Sequence, residues 1–589
     1  MRPIESGPSD APARDGREER RSHAPGTMQD PASAGAGAAP GPGQSPVTAE
    51  TVAEEDLRPT PKQVRPRDRW QAAARLDPWT TGLLAAAVLL GLTLRLVHVN
   101  QVGLNSDEAV YAGQAASIDG DPRFTPWFPV FRAHPLLFQF LLSLVFRSGV
   151  GDLAGRLLEV AVGMATVAVT FLLGRRLLGA RAGAVAALLL AIMPYHVVVT
   201  RQVLLDGPMT LATTTSLLFL ARWDRGRRPR DLLVAALVLG LAALTKETSL
   251  IFVFAAYVYL GLTTVGRQAW RTAGLGLLVT VGTFALHPLL VLLVGKRSRG
   301  SSYLAWQLFR PPNHGLNFYA QQIPTAVGVL LLLAAVLALA MTRWSSREIL
   351  LVAWIAVPVL FFTVWPVKGF QYLLPITPPL AVLAAQALTV GRLQVPGWLQ
   401  ALMRRTPQLH LPQQRLPGAG SWRRHRADWE GPGRLAAVSV VALSLLVPAV
   451  NRVSGHDAAG LAGAGGIPGG RETGEWVARN VPEGASLITI GPSMANVLAF
   501  YGNRRCRALS VSTNPLHRNP VYEPIPNPDL AVRHLEYQYV VWDAYSAQRS
   551  KHFSEAAMRL VRKYDGRVAH VETLSGSSTP VIVVYQVHA

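Results

Sequence analysis

A single cysteine, Cys506, stands in 589 residues, which excludes an internal disulfide framework and any Cys-x-x-Cys metal site. No His-Glu-x-x-His, Walker A or Gly-x-Ser-x-Gly sequence occurs, so zinc-protease, ATP-driven-pump and serine-hydrolase chemistry lack their usual groups. No apolar core follows the early arginines, so no secretory signal is expected at the N-terminus. The glycines of 461–470 follow no strand pattern and open no helix, which argues against a dinucleotide site. Residues 1–75 are rich in Ala, Pro, Gly, Arg and acids but lack apolar periodicity, the composition of a disordered cytoplasmic tail.

Long apolar runs are what the chain has instead. Half of its residues are hydrophobic, and a helix of about 20 apolar residues crosses the hydrocarbon core. Runs at 79–99, 152–173, 181–199, 207–222, 231–245, 248–264, 272–294, 323–341, 348–365, 372–390 and 434–451 predict a polytopic α-helical membrane protein of about eleven spans within 79–451. The net charge of +21 need not imply nucleic acid, because its placement matters more than its total. It concentrates in the short loops 174–183, 222–230, 266–271 and 342–348 and in the basic loop 391–434. Basic loops stay in the cytoplasm, and with the N-terminus inside, alternation puts all of these on that side. The stretch GKRSRG (295–300) is the exception. HPLLFQFLLSLVF (134–146) is too short to span and reads as an interfacial helix in a first external loop, 100–151.

A Gly-rich linker, 452–470, precedes a change of character: 471–589 alternates helix and strand patterns and predicts a small extracytoplasmic α/β domain.

The same topology turns most remaining ionisable residues outward. Asp107 and Glu108 come first, a few residues past the first span, followed by His134, Arg201, Asp206, Lys246, Glu247, Lys368 and Tyr372. Ionisable groups at the membrane boundary are costly and tend to be functional. Carboxylates beside cations at a lipid surface suit a substrate with an apolar tail and an anionic head, with a carboxylate as general base and Lys246, Lys368 or Arg201 neutralising a phosphate. No metal-ligand set is evident, although Asp107 and Glu108 together are able to hold a divalent cation.

LNSDEAVYAGQA, HPLLFQFLLSL, GRLLEVAVGMATVAVTFLLGRRLLG, VTRQVLLDGPMTL, LTKETSL, NHGLNFY and KGFQYLLPITPPL follow one another over about residues 80–390. In that order they resemble the landmarks of C-type glycosyltransferases of the protein O-mannosyltransferase and lipid A aminoarabinose transferase group (glycosyltransferase family 39). The resemblance implies a membrane glycosyltransferase that moves a sugar, with inversion, from a polyprenyl-phosphate donor to a hydroxyl acceptor on the extracytoplasmic face of the cell membrane. It places the catalytic base on Asp107, with Glu108 as its companion, and puts His134 where the family has lysine, with Arg132 two residues earlier as a compensating cation. Lys368 and Lys246 fall to the donor phosphate, and Arg201, Asp206, Tyr319 and Tyr372 to the acceptor or sugar, with His314 and Asn317 nearby. Open alternatives are an Asp206–Arg201 pair, a structural Lys246–Glu247 pair and an interfacial role for Tyr372. The acceptor is a protein, a glycolipid or a cell-wall polymer. A transporter or flippase of polyprenyl-linked sugars is the alternative function, and a non-catalytic scaffold a third.

Overall fold

The computed structural model describes residues 76–294, 303, 306–307, 309–389, 419–454, 466–573 and 578–588. The 1–75 tail, the 295–300 stretch and most of the 391–434 loop and 452–470 linker lie outside the described residues.

Each of the eleven apolar runs is helical over most of its length, but six helices are long and apolar enough to cross a membrane, or seven if one bent pair counts as a span. The reasons for the smaller number are local. The 181–199 run breaks at Pro194, which has no N–H to continue the ladder, into α5 (Ala180–Ala191) and α6 (Pro194–Val199). The 207–222 run is α7 (Asp206–Gly226), whose ends carry Asp206, Arg222, Asp224 and Arg225. The 323–341 run turns by 99° between Phe318–Val327 and Val329–Ala340. Gly328, at φ 98°, takes a backbone conformation that a side chain would strain. The remaining helices that frame the site are α1 (Pro78–Leu96), α2 (Ser106–Asp119), α3 (Leu137–Phe146), α4 (Asp152–Leu177) and α8 (Pro229–Thr245). At ten residues, α3 is about 15 Å long, half a bilayer core.

Helix α2 begins where the sequence N-S-D-E closes a capping box. Asn105 Oδ1 accepts from the Asp107 and Glu108 amides at 2.9 and 3.0 Å, and Glu108 Oε2 accepts from the Asn105 amide at 2.9 Å. Two orphan donors are thereby satisfied reciprocally. Glu108 is fully buried and also receives Arg156 of α4, Nε to Oε1 and Nη2 to Oε2 both at 3.1 Å, and the Val203 amide at 3.0 Å. Arg156 in turn donates to the carbonyls of Val99, Val102 and Gly103. One ion pair thus ties the start of α2, the turn after α1, helix α4 and the turn before α7.

The C-terminal residues form a five-stranded sheet, with β1 (Ser486–Thr489), β2 (Arg505–Ala508), β3 (Tyr539–Asp543), β4 (Arg567–Thr573) and β5 (Pro580–Gln586) in the order β2-β1-β3-β5-β4. The first three run parallel, and β5 and β4 are antiparallel. This unit packs on α2 and its flanking turns. Arg471 and Asp152 pair at 2.8 Å, Tyr501 bridges Asp152 and the Leu104 amide, and Trp127 Nε1 donates to Asn503 at 2.8 Å. Phe500 packs between Phe124 and Phe128, and Gly113 leaves room for the Phe128 ring, which would lie 2.3 Å from a Cβ there.

Removing one member of a buried ion pair strands the other. Arg156→Ala is expected to cost about 3–5 kcal/mol and to lower the thermal unfolding temperature of the protein in lipid nanodiscs clearly. An unchanged melting temperature would show that Glu108 does not depend on this partner.

Candidate active site

Where α2, α3, α7 and α8 end on one side of the helical bundle, their termini bring acids and cations together. Asp107 sits in the first turn of α2, where the helix dipole favours an anion. Its side chain is exposed, unlike that of Glu108. Protein packed around the concavity desolvates it and holds its carboxyl above the usual carboxylate range, against the opposing pull of Lys246, His134 and Arg132.

Lys246, just past α8, and Asp206, at the start of α7, form a buried pair, with Nζ 2.8 and 2.9 Å from the two carboxylate oxygens. The ammonium also lies 4.8 Å from the Tyr372 ring centroid. Burial pulls the Lys246 ammonium down, but Asp206 and the other anionic neighbours outweigh it, and the group stays above the usual lysine value. His134 Nδ1 is 2.9 Å from Glu247 Oε2, while its ring meets Tyr111 and Tyr303 edge-on. Burial alone would raise the Glu247 carboxyl; His134 reverses that, and the group sits below its usual range. Arg132 reaches Asn496 Oδ1 at 3.4 Å and covers the Tyr522 ring.

The cluster therefore contains Asp107, Asp206, Glu247, Lys246, His134, Arg132 and Tyr372. Two expected members, Glu108 and Arg201, lie elsewhere, and two more, Lys368 and Tyr319, flank the cluster. Glu108 is turned into the protein as a cap and ion-pair anchor, so it offers no oxygen beside Asp107. Arg201 donates to the Val97 carbonyl at 2.5 Å and has Arg156 as its charged neighbour, so the partner of Asp206 is Lys246. Lys368 lies in a neighbouring loop, and Tyr319 lies in the first turn of the Phe318–Val327 helix as an electrostatic neighbour of Tyr372 and Asp206. The Lys368 amide and carbonyl are clamped by the Asn313 side chain at 2.8 and 2.9 Å, and Tyr319 donates to the Gly369 carbonyl at 3.0 Å. His314 stacks on Phe318 beside them. The Lys246–Glu247 adjacency separates into two pairs, each residue taking a partner from a distant element.

Lys368 is buried, its Nζ donates to the Trp365 carbonyl at 2.8 Å, and among the described residues no carboxylate pairs with it. A buried ammonium without a counter-anion is costly.

Some residues had no sequence signal. Glu159 of α4 is fully buried with both carboxyl oxygens unpartnered, packed on Gly207 next to Asp206. From the sheet domain, Tyr545 is an electrostatic neighbour of Asp107, and Asn496 Nδ2 donates to Ser106 Oγ at 3.0 Å. Among the described residues no group of three or more His, Cys, Asp or Glu is placed to hold a metal ion.

The fold is that of the C-type glycosyltransferases. The chain resembles ArnT from Cupriavidus metallidurans bound to undecaprenyl phosphate at 18% identity and TM-score 0.62, covering 86% of this chain and 98% of that one. It also resembles the archaeal oligosaccharyltransferase AglB from Archaeoglobus fulgidus in complex with an inhibitory peptide and a dolichol-phosphate, at 14% identity and TM-score 0.53 over 86% of this chain and 74% of that one. Residues 133–292 match the dolichyl-phosphate-mannose-protein mannosyltransferase family model, in line with the group that the seven motifs resemble. No curated protein matches the chain.

If Lys246 and Asp206 hold one another, their losses are not independent. Lys246→Met and Asp206→Asn should each destabilise the protein, and the double variant should lose less than the sum, with a coupling of about 1–3 kcal/mol. Thermal unfolding of the four proteins measures this, and strictly additive losses would remove the pair from the account.

Proposed function

We propose that this protein transfers a sugar from a polyprenyl-phosphate donor to a hydroxyl acceptor on the extracytoplasmic face, with inversion, and that Asp107 is the general base. The observation that carries the reading is the pairing pattern. Among the clustered acids, Asp206 is bonded to Lys246 and Glu247 to His134, whereas Asp107 is exposed at the start of a helix fixed from behind by Glu108. A carboxylate left accessible in that setting suits removal of a proton from an entering hydroxyl.

In the proposed step the acceptor oxygen attacks the anomeric carbon and the bond to the donor phosphate breaks. The hydroxyl proton passes to Asp107, and the polyprenyl phosphate leaves as an anion. Lys368, buried and without a carboxylate partner among the described residues, holds that phosphate; Lys246 and Asp206 form the rigid floor beneath the sugar. His134, occupied by Glu247, acts less as a phosphate ligand than as a wall of the site. The C-terminal domain takes part: a cleft of about 510 Å³ between residues 117–132 and the domain has Arg132, Asn496, Tyr522 and Arg507 in its lining. Asn496 connects this lining to Ser106, next to Asp107, so the cleft is the proposed approach for the acceptor.

The test uses the full chain in lipid with a panel of radiolabelled polyprenyl-phosphate sugars and added protein, glycolipid and wall-polymer acceptors. Asp107→Asn should lower transfer about 10²–10⁴-fold while donor binding persists; retained transfer by this variant rules out the proposed base. Because surrounding protein raises the Asp107 carboxyl, the acid limb of kcat/KM should lie above the ordinary aspartate value of about 3.9, with activity falling as pH drops through that raised value. Protonated Lys246, held above the usual lysine value, should impose no alkaline limb below about pH 10.

A further inference from the structure

The strongest unassigned feature lies at the other end of the bundle. Helix α7 is 21 residues long, about 30 Å at 1.5 Å per residue, which is the thickness of the hydrocarbon core. Asp206 at its start belongs to the candidate active site, so its last turn lies at the other end of the bundle, about that distance away. There the ends of α4 and α7 and the start of α8 enclose a pocket of about 530 Å³.

Five guanidiniums line this pocket, those of Arg175, Arg176, Arg222, Arg225 and Arg228, against one carboxylate, Asp231. Asp231 pairs with Arg222 at 3.3 Å. Two other contacts spend guanidinium N–H groups on backbone carbonyls, Arg176 to Arg222 and Arg225 to Leu177, both at 3.2 Å. The Arg176 Nε is buried with no hydrogen-bond partner. Arg175, Arg225 and Arg228 are exposed, as Arg267 and Arg271 at the same end of the bundle are, but Arg176 and Arg222 are half-buried in the pocket. Gathering like charges around one concavity costs free energy unless an anion enters it, and guanidinium forks match phosphate oxygens in geometry. The remaining lining includes Leu172, which is exposed, and Leu218, an apolar side suited to the first methylenes of an acyl chain.

We propose that this pocket binds the phosphate headgroup of an anionic phospholipid of the surrounding leaflet, with its chain along Leu172 and Leu218. The inference is independent of the sugar-transfer reading, since none of these residues touches the Asp107 cluster. Basic pockets between membrane helices take such headgroups, at about 1 kcal/mol per Arg near the surface, or about fivefold in affinity.

The full chain in nanodiscs of phosphatidylcholine with a minor fraction of phosphatidylglycerol is examined by native mass spectrometry, and retained lipid is counted with rising collision energy and rising NaCl. Wild type should retain phosphatidylglycerol selectively, less so at high salt. Arg222→Gln/Arg225→Gln/Arg228→Gln should lose that selectivity by at least about tenfold. Leu172→Trp, which fills the exposed apolar side without changing charge, should also weaken retention and covers the case in which the triple variant does not fold. No selective retention by wild type, or equal retention by Leu172→Trp and a folded triple variant, overturns the proposal. A parallel arm in pure phosphatidylcholine nanodiscs adds inorganic phosphate. Thermal stabilisation there that equals the phosphatidylglycerol effect assigns the pocket to soluble phosphate and overturns the lipid assignment.

Discussion

Everything at the candidate active site depends on the buried pair between Glu108 and Arg156. A carboxylate and a guanidinium out of water offset their desolvation only when nearly every donor and acceptor is used. Here Glu108 accepts from two backbone amides and a bidentate guanidinium, and Arg156 spends its other donors on three consecutive-turn carbonyls. The pair therefore fixes a backbone path, and the path fixes the first turn of α2. Asp107 inherits its place and direction from its neighbour in sequence. Two adjacent acids divide the work, one holding the helix start and the other facing the concavity.

Around Asp107 the charges are arranged to leave it available. Had Lys246 met Asp107 directly, the carboxylate would be bound and weakly basic. Lys246 is instead held by Asp206 and by the Tyr372 face, and His134 by Glu247. The positive charge still reaches Asp107 through space, where it opposes, without cancelling, the desolvation that raises the carboxyl. Lys368 is the complementary case, a buried cation with a carbonyl for company. Among the described residues, an exposed carboxyl without an ion-pair partner and a buried ammonium without a carboxylate are the two ends that the proposed reaction, which releases a proton and a phosphate, needs.

The sequence made some of this legible and hid the rest for physical reasons. Apolar runs and the placement of arginines are local properties, and they disclosed a helical membrane fold, with seven motifs that resemble those of one enzyme group. The N-S-D-E box was equally local, and its Asn-x-x-Glu spacing at a helix start was the available signal that Glu108 is a cap. Pairings are non-local. Nothing within a few residues says that Lys246 turns to Asp206 while Glu247 turns to His134, or that Arg201 finishes on the Val97 carbonyl. Span number suffered from the same limit, because Pro194 and Gly328 break apolar runs that composition alone joins. The contributions of Asn496 and Tyr545 come from a domain that lies hundreds of residues later in the chain and packs back on α2.

Helix α7 shows why the two ends of this molecule differ in charge. Its peptide dipoles make the N-terminus favourable to an anion and the C-terminus to cations, and the sequence supplies Asp206 at the first position and Arg222 and Arg225 near the last. The same twenty-one residues that carry an acid into the candidate active site therefore deliver guanidiniums to the opposite surface. Reversing either end would set the side-chain charge against the dipole. The separation is also fixed: a helix cannot stretch, so an acid-bearing face and an arginine-bearing face on α7 stay about one hydrocarbon thickness apart. The proposed chemistry on lipid-linked substrates and the proposed anion pocket would thus be built on the two ends of one helix.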